Sequence, residues 1–193
     1  MFSWLSFLSY AVLTTATPGP NNIMSMSNAS RIGLRRSFPF NIGVWVGFSI
    51  VMLVCALFCN TLTELIPKIK MPMIILGACY MLWLAWKTFK SSSVSDKSSE
   101  QITFLSGLLL QFINPKIYIY GIVSMQVYIL PFYQGQWTKL SFFALLLATI
   151  GASFNICWAL FGSLFRIIFS QYARITNTIM ALLLVYCAVS LFM

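Results

Sequence analysis

The sequence contains no histidine, and its only carboxylate side chains are Glu64, Asp96 and Glu100. A hydrolytic nucleophile needs a base beside it, and a chain with neither histidine nor a buried acid offers no such pair. The five cysteines, Cys55, Cys59, Cys79, Cys157 and Cys187, all fall inside apolar runs, which argues against the disulfide framework of a small secreted domain. Cys55 and Cys59 share a helix face at i, i+4. With no histidine and no neighbouring carboxylate they read as small packing residues, and neither a metal nor a cofactor is expected.

Charge is the other scarcity. Only 8% of the residues are charged and 60% are hydrophobic, against about 25% charged in a soluble domain. Stretches 1–29, 42–62, 71–86, 140–165 and 175–193 hold no charged residue, and 101–138 is interrupted only by Lys116. Each is near or above the roughly 20 residues that cross a bilayer as a helix. The first lacks the basic start and small-residue cleavage site of a secretory signal, so it reads as a retained helix. A net charge of +9 would suggest nucleic acid in a soluble chain. Here the basic residues flank the apolar runs as topology signals, and no nucleic-acid partner is expected.

These runs predict an all-α membrane protein, a single domain over 1–193, with helices at about 3–27, 40–62, 71–88, 103–127, 140–165 and 174–192. A serine-rich linker, 90–101, divides it into halves 1–89 and 102–193. Arg31, Arg35, Arg36, Lys87, Lys90, Lys97, Arg166 and Arg174 follow helices 1, 3 and 5, whereas Lys68, Lys70 and Lys139 lie on the opposite side. The positive-inside bias therefore places both termini outside. Trp83 and Trp86 beside Lys87, and Tyr133 and Trp137 beside Lys139, fit aromatic belts at the two interfaces.

Three helices per half is an odd number, so two halves of one fold must insert in opposite orientations, as in the inverted repeats of secondary transporters. Helix 1 carries Thr17-Pro18-Gly19-Pro20-Asn21-Asn22 and helix 4 carries Gln111-Phe112-Ile113-Asn114-Pro115-Lys116; Pro18 and Pro115 are 97 residues apart. The prolines are expected to break helices 1 and 4 and to free the carbonyls of Thr14, Ala16 and Gln111. A broken helix turns a carbonyl end and an amide end toward one point, a pair complementary to an amino-acid zwitterion. A plain kink is the structural alternative.

The candidate substrate-binding residues are therefore Pro18, Gly19, Pro20, Asn21, Asn22, Gln111, Asn114, Pro115 and Lys116, with Asn155 and Trp158 from helix 5. A lysine within an apolar span is expensive and marks a functional position, unless its stem snorkels to an interface. Asn155 needs a buried partner, either the substrate or another helix. Tyr118 and Tyr120 are two apart, so at most one shares a face with any given partner.

The Thr17–Asn22 element, the Asn114–Lys116 element and the segment from Asn155 to Gly162 resemble the lysine exporter (LysE/RhtB) family of bacterial amino-acid exporters. The likeness covers essentially the whole chain. Within that family, Pro18 to Ile23, Tyr80 to Lys87 and Ala181 to Val189 are similar to exporters of small neutral amino acids or thiol precursors. The resemblance implies efflux of cysteine and O-acetylserine through the bacterial inner membrane, with the lipid bilayer and protons as the other partners. Proton coupling sits poorly with a chain lacking a membrane carboxylate or histidine, which leaves Lys116 as the titratable candidate. A thiol-relay oxidoreductase would need a reactive cysteine beside each break, and helices 1 and 4 have none. A passive channel would present similar backbone sites and stays open as an alternative.

Overall fold

The computed structural model describes residues 2–90 and 103–192, so the expected linker, apart from Lys90, lies outside the described residues. Every regular element among them is helical: α1 (Trp4–Ala16), α2 (Pro20–Ile32), α3 (Leu34–Lys90), α4 (Phe104–Ile113), α5 (Pro115–Val123), a π-helical segment (Ser124–Ile129), α6 (Leu130–Tyr133), α7 (Trp137–Leu164), α8 (Arg166–Gln171) and α9 (Ala173–Ser190).

Local chemistry sets the boundaries. The Ser3 hydroxyl accepts the Ser6 amide to cap α1. Thr103 and Ser106 form a reciprocal capping box at the start of α4, so both expected halves open on a hydroxyl cap with a serine three residues on. Helix 1 breaks as expected, but α2 runs on to Ile32 and α3 begins at Leu34, where a longer connection was expected. Gly33 makes that joint alone, at φ 85°, a left-handed backbone that favours glycine. Its amide closes α2 on the Ala29 carbonyl at 3.0 Å.

α3 leaves helical geometry at Phe58 (φ −119°, ψ 27°). The segment expected to loop between helices 2 and 3 is helical in its backbone. Among the described residues, Leu34–Cys59, Met71–Lys90 and Trp137–Leu164 are long and apolar enough to cross a membrane. Phe104–Ile113 with Pro115–Tyr133, bent by 64°, makes a fourth if the pair is one span. Trp4–Ala16 and Arg174–Ser190 are apolar but shorter. α2 is polar, which is why the broken first helix does not read as one continuous apolar span.

Two of the three break prolines sit at helix starts, and none sits in a helix interior. Pro20 and Pro115 each occupy the first turn of the following helix, where the missing amide has no intrahelical role and the fixed φ suits the helix. Pro20 and Pro115 thus share one local position, the start of a helix, which Pro18 does not. The expectation of freed carbonyls changes accordingly: that of Thr14 accepts the Thr17 hydroxyl at 2.7 Å.

Glycines set the close helix crossings. A Cβ at Gly43 would collide with the Phe104 carbonyl, one at Gly107 with the Phe40 carbonyl, and one at Gly47 with Leu108 and Gln111. α3 and α4 therefore approach backbone to backbone, the small-residue packing of membrane helices. Gly162 of α7 meets the Met26 carbonyl of α2 in the same way. The molecule carries large apolar side chains outward, Leu5 at 80% and Leu164 at 79% exposure among them, while Asn22, Ser25, Asn28, Asn41, Gln111, Asn114 and Asn155 are buried. Polar groups gathered inside beneath an apolar exterior suit a lipid solvent.

Candidate functional site

The two breaks meet. α1 ends at Ala16 and α2 restarts at Pro20, while α4 ends at Ile113 and α5 restarts at Pro115 with Asn114 between them. Lys116, in the first turn of α5, reaches across to the first break. Its Nζ donates to the Thr17 hydroxyl at 2.9 Å and to the Thr17 carbonyl at 3.3 Å. A snorkelling lysine would point to water along its own helix. This one is spent on another helix's open end.

The rest of the first break is held by side chains from its own second half. The Asn22 amide donates to the carbonyls of Thr15 at 2.9 Å and Thr17 at 3.0 Å. Asn114 caps α5 by accepting the Lys116 amide at 3.1 Å. Asn21 donates 2.8 Å to the Gln111 side-chain oxygen, and the Gln111 amide donates to the Gly107 carbonyl at 2.8 Å, tying the start of α2 to the end of α4. Carbonyl oxygens thus face Lys116 and the start of α2, where backbone amides outside the helical ladder add to its positive charge, while the first amides of α5 are taken up by Asn114.

A cavity lies between these groups. Thr14, Thr15, Gly19, Pro20, Asn21, Asn22, Asn114 and Lys116 line its polar side, and Phe48, Ile117, Tyr120 and Gly151 its apolar side. Its volume is about 40 Å³, room for a few waters. Tyr120 is held on that wall by Phe48, edge to face at 5.8 Å, and by Tyr10, stacked at 6.0 Å. Gly151 is small because a Cβ there would strike the Phe48 ring.

Six of the candidate residues, Gly19, Pro20, Asn21, Asn22, Asn114 and Lys116, line the cavity. Gln111 stands one hydrogen bond behind it, through Asn21. Pro115 borders a separate apolar pocket with Gly77, Met81 and Leu191. Pro18 is exposed, and Pro18, Asn155 and Trp158 do not line the cavity. Asn155 is buried in a polar cluster, its Nδ2 donating 2.8 Å to Asn41 Oδ1. Sequence reasoning named Thr14 only for its carbonyl and missed Thr15, Phe48, Ile117 and Gly151. Thr14 and Thr15 were within reach of it, since they precede the break by less than one turn; Phe48 gave no signal among equally apolar neighbours. Of the two tyrosines, Tyr120 is the one that faces the site.

A family model described as LysE type translocator matches residues 12–193. The cysteine/O-acetylserine efflux protein of Klebsiella pneumoniae subsp. pneumoniae is 44% identical over 185 residues, covering 95% of this chain and 94% of that protein. The protein of the same name from Escherichia coli (strain K12) is 41% identical over 191 residues, covering 97% and 96%. No solved structure matches the chain.

Proposed function

Because the chain belongs to the LysE type translocator family, we propose that it exports small neutral amino acids, cysteine and O-acetylserine first among them, across a membrane spanned by its apolar helices. It is a translocator and not an enzyme. The observation that carries the reading is the contact of Lys116 with Thr17, which closes two helix breaks on one cavity.

The substrate carboxylate goes to the positive side of that cavity, to Lys116 and the amide end of α2. The substrate ammonium goes to the carbonyls of Thr15 and Thr17, displacing the donors that hold them, Asn22 and Lys116. Among the described residues no carboxylate lines the cavity, so a second cationic group on the substrate would meet Lys116 without a counter-charge. That favours cysteine or O-acetylserine over lysine. The cavity is narrow, about 40 Å³, and we infer that it widens to admit the substrate.

Alternating access between inverted halves would widen it. Several features support a 3+3 arrangement of six spans. The helix that opens each half packs by a glycine against the second helix of the other half, α4 on α3 at Gly43 and Gly107, α2 on α7 at Gly162. The third helices pair with each other, Ala78, Met81 and Ala85 of α3 against Ala181, Leu184 and Cys187 of α9. Lys87 lies over the Trp83 ring and Lys139 over Tyr133, both at 4.9 Å, as interface anchors at two levels. Together with the basic bias of the connections, they support an orientation with the termini outside. The driving force we assign is the proton gradient, with Lys116 as the titrating group.

Inverted vesicles energised by a pH gradient test the proposal, comparing uptake of radiolabelled cysteine, O-acetylserine, threonine and lysine. Saturable, gradient-dependent uptake of the first two is the expected result. Lysine as the preferred solute would overturn the neutral-substrate assignment, and unsaturable flux insensitive to the gradient would make the protein a passive channel.

A further inference from the structure

Three helices that line the cavity also meet a short distance from it. Asn21 of α2, Phe48 of α3 and Gly151 of α7 line the cavity. Four residues on from Asn21 is Ser25, seven before Phe48 is Asn41, and four on from Gly151 is Asn155. Spacings of four and seven return to the same helix face, so these three residues form the next layer beyond the cavity. The layer lies toward the end of the molecule bearing Arg31, Arg35, Arg36 and Arg166.

There they touch. The Ser25 hydroxyl stands 2.8 Å from Asn41 Oδ1 and 2.8 Å from Asn155 Oδ1, and Asn155 Nδ2 donates to Asn41 Oδ1 at 2.8 Å. All three residues are nearly fully buried, at 0%, 3% and 1% exposure. The contact leaves no opening between α2, α3 and α7 at this level. It is also an imperfect clasp. A hydroxyl has one proton, and Ser25 faces two amide oxygens with it.

Polar residues continue beyond the clasp. Asn28, seven after Asn21 and so on the same face of α2, is 3% exposed, and its Nδ2 has no hydrogen-bond partner. Ser37, one turn before Asn41 on α3, is fully buried. A helix used only for packing in an apolar interior has no need of a buried amide donor with nothing to receive it. Water or a passing polar solute would receive it.

We propose that the face of α2 carrying Asn21, Ser25 and Asn28 is the solute's path between the cavity and the basic end of the molecule, and that Ser25, Asn41 and Asn155 are its closed constriction. The proposal rests on the carrier reading above, in which the cavity must open to each side in turn. Opening exchanges the three clasp contacts for contacts with water or solute, and every polar group in the layer keeps a partner in both states.

Side-specific thiol labelling tests it. In a full-length chain whose two exposed cysteines carry Cys79→Ser and Cys157→Ser, an Asn28→Cys variant is exposed to a membrane-impermeant thiol reagent from either face of vesicles. The buried native Cys55, Cys59 and Cys187 serve as internal controls. The expected result is labelling of position 28 from the basic face, at least about tenfold faster than the controls, as a site exposed in a minor open state. O-acetylserine at saturation is expected to slow it. Labelling no faster than the controls, or equal from both faces, would overturn the path. Should Asn28→Cys fail to fold, Ser25→Cys carries the same expectation. Labelling from the basic face in vesicles that export no O-acetylserine would keep the path and refute the substrate assignment instead.

Discussion

Gly19 lies against the ammonium of Lys116, so that a Cβ added to the glycine would stand 3.2 Å from Nζ. The glycine's backbone is extended, at φ −154°, and alanine adopts that conformation without strain. Gly19→Ala therefore tests the position of the charge and not the fold. KM for O-acetylserine is expected to rise about tenfold, equivalent to about 1.4 kcal/mol, with the melting temperature in detergent unchanged. A lowered melting temperature with unchanged KM would make Gly19 a structural residue only.

Lys116→Met removes the cation and leaves the Thr17 carbonyl with the Asn22 amide alone. Hydrogen bonds to a charged group are worth about 1.5–3 kcal/mol, so kcat/KM for export is expected to fall about 10- to 100-fold in vesicles. Retention of full pH-dependent export by this variant would remove Lys116 from the coupling mechanism.

Asn21 and Gln111 join the two breaks by a 2.8 Å hydrogen bond in a partly buried setting. A double-mutant cycle with Asn21→Leu and Gln111→Leu, read by thermal unfolding, is expected to give a coupling of about 1 kcal/mol. A coupling near zero would mean that each amide acts through its other contacts, such as Gln111 with the Gly107 carbonyl.

Two glycines separate packing from backbone strain. Gly107→Ala drives a methyl into the Phe40 carbonyl, and overpacking of this kind costs about 1–3 kcal/mol. Gly135→Ala meets nothing within 4 Å but must hold φ 76°, a cost of about 1 kcal/mol. Differential scanning of both variants should show the larger loss at Gly107, together with loss of export. Export should survive Gly135→Ala.

The helical class and both breaks were legible in the sequence because apolar runs and prolines act locally. Pro20 and Pro115 could be read as helix punctuation, yet their place at the first turn of a helix depends on where the chain resumes, which three consecutive turn-formers at Pro18, Gly19 and Pro20 leave open. The absence of a loop between helices 1 and 2 was hidden for a related reason: Gly33 looks like any loop glycine until its φ is known. Lys116 announced itself as a lone charge. Its partner at Thr17 did not, because a contact 99 residues away leaves no periodic trace. Asn155 showed only that it needed a partner, and Asn41 and Ser25, which supply it, look in the sequence like ordinary tolerated polar residues.

The closed layer beyond the cavity also bears on what the protein does when it has nothing to export. The contact of Ser25 with Asn41 and Asn155 closes the proposed route beyond the cavity, so no continuous column of water runs along it. On the proposed function, a copy at rest in this closed form would neither drain the cell's amino-acid pool nor short-circuit its membrane potential, so that many copies could stand in place against a sudden surplus.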